Sequence, residues 1–141
     1  MRAQLNGTNY TSISPIDRSH LVVLPDAFVA QIFPQSTPAT LNWKEQKRLD
    51  ALLQETVHLR NATMKSPSTL LEHVDAYYFQ LSVAINEQGQ KEVYINAFCQ
   101  KPVQDWTRYL LSVEDRGSCY FSVKINLTTG TAYNLIINGN I

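Results

Sequence analysis

From residue 75 onward, apolar side chains recur at every second position through five successive segments, and no other feature limits the fold so strongly. Successive side chains of an extended chain point to opposite faces. Phe79, Leu81, Val83 and Ile85 therefore share one face of the first segment, and Val93, Ile95, Ala97 and Cys99 one face of the second. The phase continues through Tyr109, Leu111 and Val113, through Cys119, Phe121, Val123, Ile125 and Leu127, and through Tyr133, Leu135 and Ile137. Gly89, Gly117 and Gly130 each sit late in a short polar connection, where a left-handed backbone closes a hairpin. Connections this short join antiparallel strands. The pattern predicts a meander of five antiparallel strands over about residues 77–138 with one apolar face.

That face needs a cover, and "NWKEQKRLDALLQETVHLRNA" supplies it. Leu49, Leu52, Leu53, Thr56 and Val57 recur at helical spacing, Asn42 is placed to cap the first turn, and Glu45 stands three residues on, as in a capping box. A helix over about 43–61 laid on the sheet makes an α+β domain, one main helix packed on a mostly antiparallel sheet of about five meandering strands. Residues 1–20 are polar and aperiodic and read as an N-terminal arm. Residues 21–141 read as a single domain, strand-like at "HLVVL", stopped by Pro25, with a linker at 34–40.

Composition removes several function classes. Apolar residues make up 44% and charged residues 17%, which excludes a wholly disordered chain. Twelve basic side chains balance twelve acidic ones, so the clustered cations that bind nucleic acid are not expected. The most apolar run, residues 21–33, is broken by Pro25, Asp26 and Gln31 and predicts no membrane span. The first twenty residues lack the apolar stretch of a secretory signal, which points to the cytoplasm. Four Asn-x-Ser/Thr sequons, at Asn6, Asn9, Asn61 and Asn126, are a weak signal for glycosylation in a chain rich in Asn, Ser and Thr.

Candidate chemistry is sparse. Cys119 alternates in phase with Phe121 and Val123, which predicts a small buried hydrophobe rather than a nucleophile. A sequential meander sets Cys99 and Cys119 at opposite ends of the third strand, too far apart for a disulfide. Two cysteines without a second pair are no zinc framework. His73 and Asp75, at i and i+2, share a face if extended and begin a metal or acid–base site, but no third ligand is evident; a polar lead-in to the sheet is the simpler reading. His58 borders the helix stripe. Glu114, Asp115 and Arg116 read as a wet turn. No phosphate loop, nucleophile elbow or zincin motif occurs, so neither a cofactor nor a metal is expected.

The second face of the sheet carries most of the functional content. Tyr78, Tyr94, Phe98, Leu110, Tyr120 and Ile136 fall on it, among Gln80, Ser82, Asn96, Ser122, Lys124 and Asn134. Aromatic anchors with a polar rim suit an interface. Either this face binds a partner, or residues 21–40 fold back and make it a second core layer. The expected function is a non-catalytic interaction or ligand-binding module, its partner a protein, a small ligand or a second copy in a twofold dimer. The alternative is a small hydrolase or metal-dependent enzyme using His73, Asp75 and the 114–116 turn.

"EVYINAFC", then Trp106 and "SVEDRGSCYFSVKINLTTGTAYNLIINGNI", resembles a group of small uncharacterised bacterial proteins. In them a strand ending in Phe-Cys precedes an Asp-Gly-Gly-x-Cys-like hairpin, a Lys-x-Asn-Leu strand and a closing Asn-Gly. The resemblance covers about residues 75–141, with a looser echo in "LVVLP" and the helix, and Arg116 stands where that pattern has Gly. It implies the sheet and no activity. One helix followed by an antiparallel sheet is also similar in architecture to cystatin-like and PepSY-like folds, and fold does not imply function.

Overall fold

A computed structural model describes residues 16–64, 71, 73–111 and 120–137. Its elements run β1 (Leu21–Val23), α1 (Val29–Ile32), β2 (Thr37–Pro38), α2 (Trp43–Asn61), β3 (Tyr78–Ile85), β4 (Lys91–Phe98), β5 (Tyr120–Asn126) and β6 (Thr131–Ile137). The fold is α+β, a mostly antiparallel six-stranded sheet with one main helix.

The helix begins where the sequence predicts. Asn42 Oδ1 accepts from the Glu45 amide at 2.8 Å, and Glu45 Oε1 accepts from the Asn42 amide at 2.9 Å, so two of the unpaired amides at the helix start are satisfied reciprocally. Lys91 Nζ, at 3.0 Å from Glu45, ties this first turn to the start of β4. The Asn42 amide first, and Lys91 second, hold the Glu45 carboxyl below its ordinary pKa. Because the folded value is the lower one, this contribution is complete above the unfolded carboxyl's pKa and is lost as pH falls through the folded value. Glu45→Gln is therefore expected to lower the urea midpoint at pH 7, with the two proteins converging toward pH 3.

Leu49, Leu53 and Val57 of α2 are buried in one cluster with Phe79, Leu81, Val93, Ile95, Phe121, Val123 and Ile125, the face selected by the two-residue period. Strands β3, β4, β5 and β6 are neighbours in that order, each pair antiparallel.

Two expectations about the strands are corrected. Residues 109–111 form no strand: β4 pairs directly with β5, from Glu92 opposite Asn126 to Phe98 opposite Tyr120. The backbone of the intervening segment bonds instead to side chains of the sheet, its carbonyls at Trp106 and Tyr109 accepting from Gln80 Nε2 at 2.6 Å each. The predicted strand position Val113 and the turn 114–116 lie outside the described residues. So does Cys119, but Cys99 is disulfide-bonded and the sequence holds one other cysteine. The expectation of two free thiols rested on a strand between β4 and β5, and direct pairing of the two removes that obstacle. Cys99 is half-buried against the core.

Second, Tyr133 lies on the face opposite to the one predicted. The register runs from Ser122 opposite Ile136 to Lys124 opposite Tyr133, two steps on β5 against three on β6. The extra residue is a β-bulge at which Asn134 takes a left-handed backbone, φ 55°, a conformation asparagine tolerates better than other side-chain-bearing residues. Leu135 and Ile137 still reach the core, while Tyr133 turns to the far face beside Lys124.

At the other edge, β1 pairs parallel with Phe79–Leu81 and β2 antiparallel with Ala84 and Ile85, so both share one side of β3. Between them the chain leaves that edge, crosses the second face through α1 and returns.

Candidate functional site

The second face is built of transverse rows set by the strand register. Tyr78, Phe98 and Tyr120 form the first; Gln80, Asn96, Ser122 and Ile136 the second; Ser82, Tyr94, Lys124 and Tyr133 the third; Ala84, Glu92, Asn126 and Thr131 the fourth. The six residues expected to form a binding patch are spread across these rows. Phe98 lies directly between Tyr78 and Tyr120, with no strand separating it from Tyr120. Tyr94 is four residues along β4, roughly 13 Å away at the rise of a strand, and Leu110 belongs to the segment that covers the face.

Two segments cover most of it. Over the first two rows lies 100–111: Trp106 meets Tyr78 edge-on at 5.7 Å, while the His20 ring stacks on Tyr78 at 3.9 Å. Gln80 and Asn96 anchor this cover, with Asn96 Nδ2 donating to Gln80 Oε1 at 3.0 Å and to the Leu111 carbonyl at 2.9 Å. Phe98 is 1% exposed and meets Tyr120 edge-on at 5.8 Å. Over the third and fourth rows, Val29 and Phe33 bury Ala84 and pack with Ile32 and Tyr94. Burial raises the Tyr94 pKa, and the Ser122 hydroxyl partly offsets it. Tyr78, Tyr94, Leu110 and Tyr120 are half-buried, and Ile136 is 54% exposed.

Beneath these covers the Ser82 hydroxyl is buried with no hydrogen-bond partner among the described residues. An unpaired buried hydroxyl costs about 1 kcal/mol or more. Ser82→Ala is expected to raise stability by about 1 kcal/mol in urea unfolding; a loss of stability would show that the hydroxyl has a partner in solution.

His73 and Asp75 are not brought together. His73 is exposed with a left-handed backbone, φ 58°, and Asp75 lies in the 3₁₀ turn Val74–Ala76, where i and i+2 diverge. Among the described residues no group of three or more His, Cys, Asp or Glu is placed to hold a metal ion. His58 is exposed at the helix surface. Two sequons are occupied by structure: Asn61 bonds both the amide and the carbonyl of Leu71, and buried Asn126 bonds Gln90 Oε1 and the Thr129 amide. Asn6 and Asn9 lie outside the described residues.

Rows three and four stay open at their β6 side, and there the face forms a cleft of about 280 Å³. Ile32, Phe33 and Pro34 make one wall, Asn86, Glu87 and Gln88 of the β3–β4 hairpin another, and Glu92, Lys124 and Tyr133 the floor. Gln35, between the lining residues Pro34 and Ser36, and Asn134, next to Tyr133, both have left-handed backbones. Two of the three such non-glycine residues among those described thus flank this cleft, and backbone strain of this kind clusters at functional sites.

The polar groups of the cleft are fixed individually. Glu92, 9% exposed, accepts from Asn86 Nδ2 at 2.8 Å and from the Tyr133 hydroxyl. Asn86 is itself pinned, since its Oδ1 accepts from the amides of Gln88 and Gln90. Burial and the neighbouring Glu92 carboxylate push the Tyr133 hydroxyl far above its ordinary pKa, so it remains a donor. Lys124 Nζ donates to the Ile32 carbonyl at 3.1 Å and lies 5.0 Å from the centre of the Phe33 ring. Among the described residues it has no carboxylate within ion-pair distance. Sequence reasoning placed Lys124 on this face as a rim residue and did not select Glu92 or Tyr133. Glu92 was legible as a charged residue inside an apolar strand; Tyr133 was hidden by the bulge. Among the described residues, no helix is long and apolar enough to cross a membrane. No protein-family model matches the chain, and neither curated proteins nor solved structures returned a match.

Proposed function

We propose that the protein is a non-catalytic binding module and that the Glu92, Lys124 and Tyr133 cleft is its ligand site. The observation that carries this reading is Lys124: a half-buried lysine in a concave site, with one carbonyl acceptor, a ring beneath it and no carboxylate partner among the described residues. Desolvating a lysine without a counter-charge is costly, and a ligand acceptor would offset that cost. The pinned side chains around it favour binding, because groups already held in place lose little freedom when a ligand arrives. The cleft's volume suits a small molecule rather than a macromolecular segment. Tyr78 supports the module by holding its cover through Trp106. The disulfide at Cys99 favours an oxidising compartment over the cytoplasm.

The test is amide NMR shift mapping on the full chain with millimolar small carboxylates, amines, sugars and nucleosides. Localised shifts at residues 86–92, 124 and 133, abolished by Lys124→Met, are expected from at least one class. Shifts from none of them would sink the reading, as would shifts confined to Ile136 and its neighbours, which would favour a partner surface there.

A further inference from the structure

We infer that the cleft takes an amino-acid-like zwitterion, its carboxylate on Lys124 and its ammonium on Glu92; this rests on the reading of the cleft as a ligand site. The two residues are diagonal neighbours on one face, since Glu92 pairs with Asn126 while Lys124 pairs with Tyr94. Diagonal positions on adjacent strands lie roughly 7–8 Å apart, a span that a glutamate and a lysine readily bridge. They do not bridge it here. Glu92 is drawn toward Asn86 and Tyr133, and Lys124 toward the Ile32 carbonyl and the Phe33 ring. Opposite charges are therefore held apart in one small cleft, neither neutralising the other.

That arrangement selects by charge pattern. A simple anion approaching Lys124 meets the field of Glu92, and a simple cation approaching Glu92 meets that of Lys124. A molecule carrying both charges on one carbon, as an α-amino acid does, offsets each repulsion with an attraction and gains a charge-assisted hydrogen bond from each group. Glu92 is nine-tenths buried and its partners among the described residues are neutral donors, so a ligand ammonium would give it a counter-charge. Ile32 and Pro34 offer an aliphatic side chain an apolar wall.

Calorimetry and amide shift mapping with L-leucine, 4-methylpentanoate and 3-methylbutylamine test the inference, because the last two are leucine without its amino group and without its carboxylate. Leucine is expected to shift residues 86–92, 124 and 133 and to bind at least tenfold tighter than either analogue. Lys124→Met should abolish the preference for leucine over the amine, and Glu92→Gln the preference for leucine over 4-methylpentanoate. Should Glu92→Gln fail to fold, the ligand series on the unaltered protein and Lys124→Met decide. Equal binding of 4-methylpentanoate and leucine would overturn the zwitterion and leave a plain anion site. Cleft shifts from sugars or nucleosides, with none from these three, would also overturn it while the binding reading stands; silence from every probe would remove both.

Discussion

Gln80→Leu is expected to destabilise the domain by roughly 4 kcal/mol, although the substitution places an apolar side chain in a fully buried position. Gln80 is 0% exposed and makes four hydrogen bonds, donating to the carbonyls of Trp106 and Tyr109 and accepting from Asn96 Nδ2 and the Leu111 amide. Leucine of similar length fills the space but orphans all four partners, each costing about 1–3 kcal/mol unless water reaches it. Urea unfolding measures the loss, and hydrogen exchange localises it. Faster exchange confined to 100–111 would mean that the segment lifts while the sheet survives. A neutral substitution would show that the segment is not docked through these bonds.

Removing the disulfide by Cys99→Ser is expected to cost about 3 kcal/mol, the entropy of closing a loop of some twenty residues. Without reductant, the native protein should resist alkylation by iodoacetamide, and after unfolding and reduction it should take up two equivalents. Two reactive thiols in the unreduced protein would refute the bond. The disulfide and Gln80 restrain the same segment from different points. Their effects should therefore not add, the double variant losing less than the sum because the second change releases a segment already loosened.

The helix and the inner face of the sheet were legible in the sequence because each is decided locally. Asn42 and Glu45 state where α2 starts, and the alternation through Phe79, Ile95, Phe121 and Leu135 states which face it covers. What covers the second face was not legible. Gln80 and Asn96 read as rim residues because nothing in a strand's period reveals that a distant loop will present carbonyls to them. The segment around Tyr109 and Leu111 alternates like a strand, yet its backbone partners are side chains. The short β1 and β2 owe their pairing to the edge of β3 rather than to any pattern of their own. The cleft was missed for a single reason: one left-handed residue, Asn134, inverts the phase of β6 and carries Tyr133 across the sheet.

That same inversion bears on what the edge of the sheet offers to other copies of the chain. A sheet with open edges is a template for further strands, and the two edges here are blunted differently. Along β3 the exposed side is divided between strands of three and two residues, the second containing Pro38, so no long run of free backbone groups remains. Along β6, "TAYNLII" has the β-propensity and lack of charge that favour fibrillar stacking, and among the described residues only the bulge interrupts it. Asn134→Val, which disfavours the left-handed backbone, would favour an unbulged strand with an even, uncharged edge, and in that unbroken alternation Tyr133 falls on the inner face. One residue thus ties the shape of the cleft to resistance against edge-to-edge polymerisation, and the sequence has little freedom to alter one without the other.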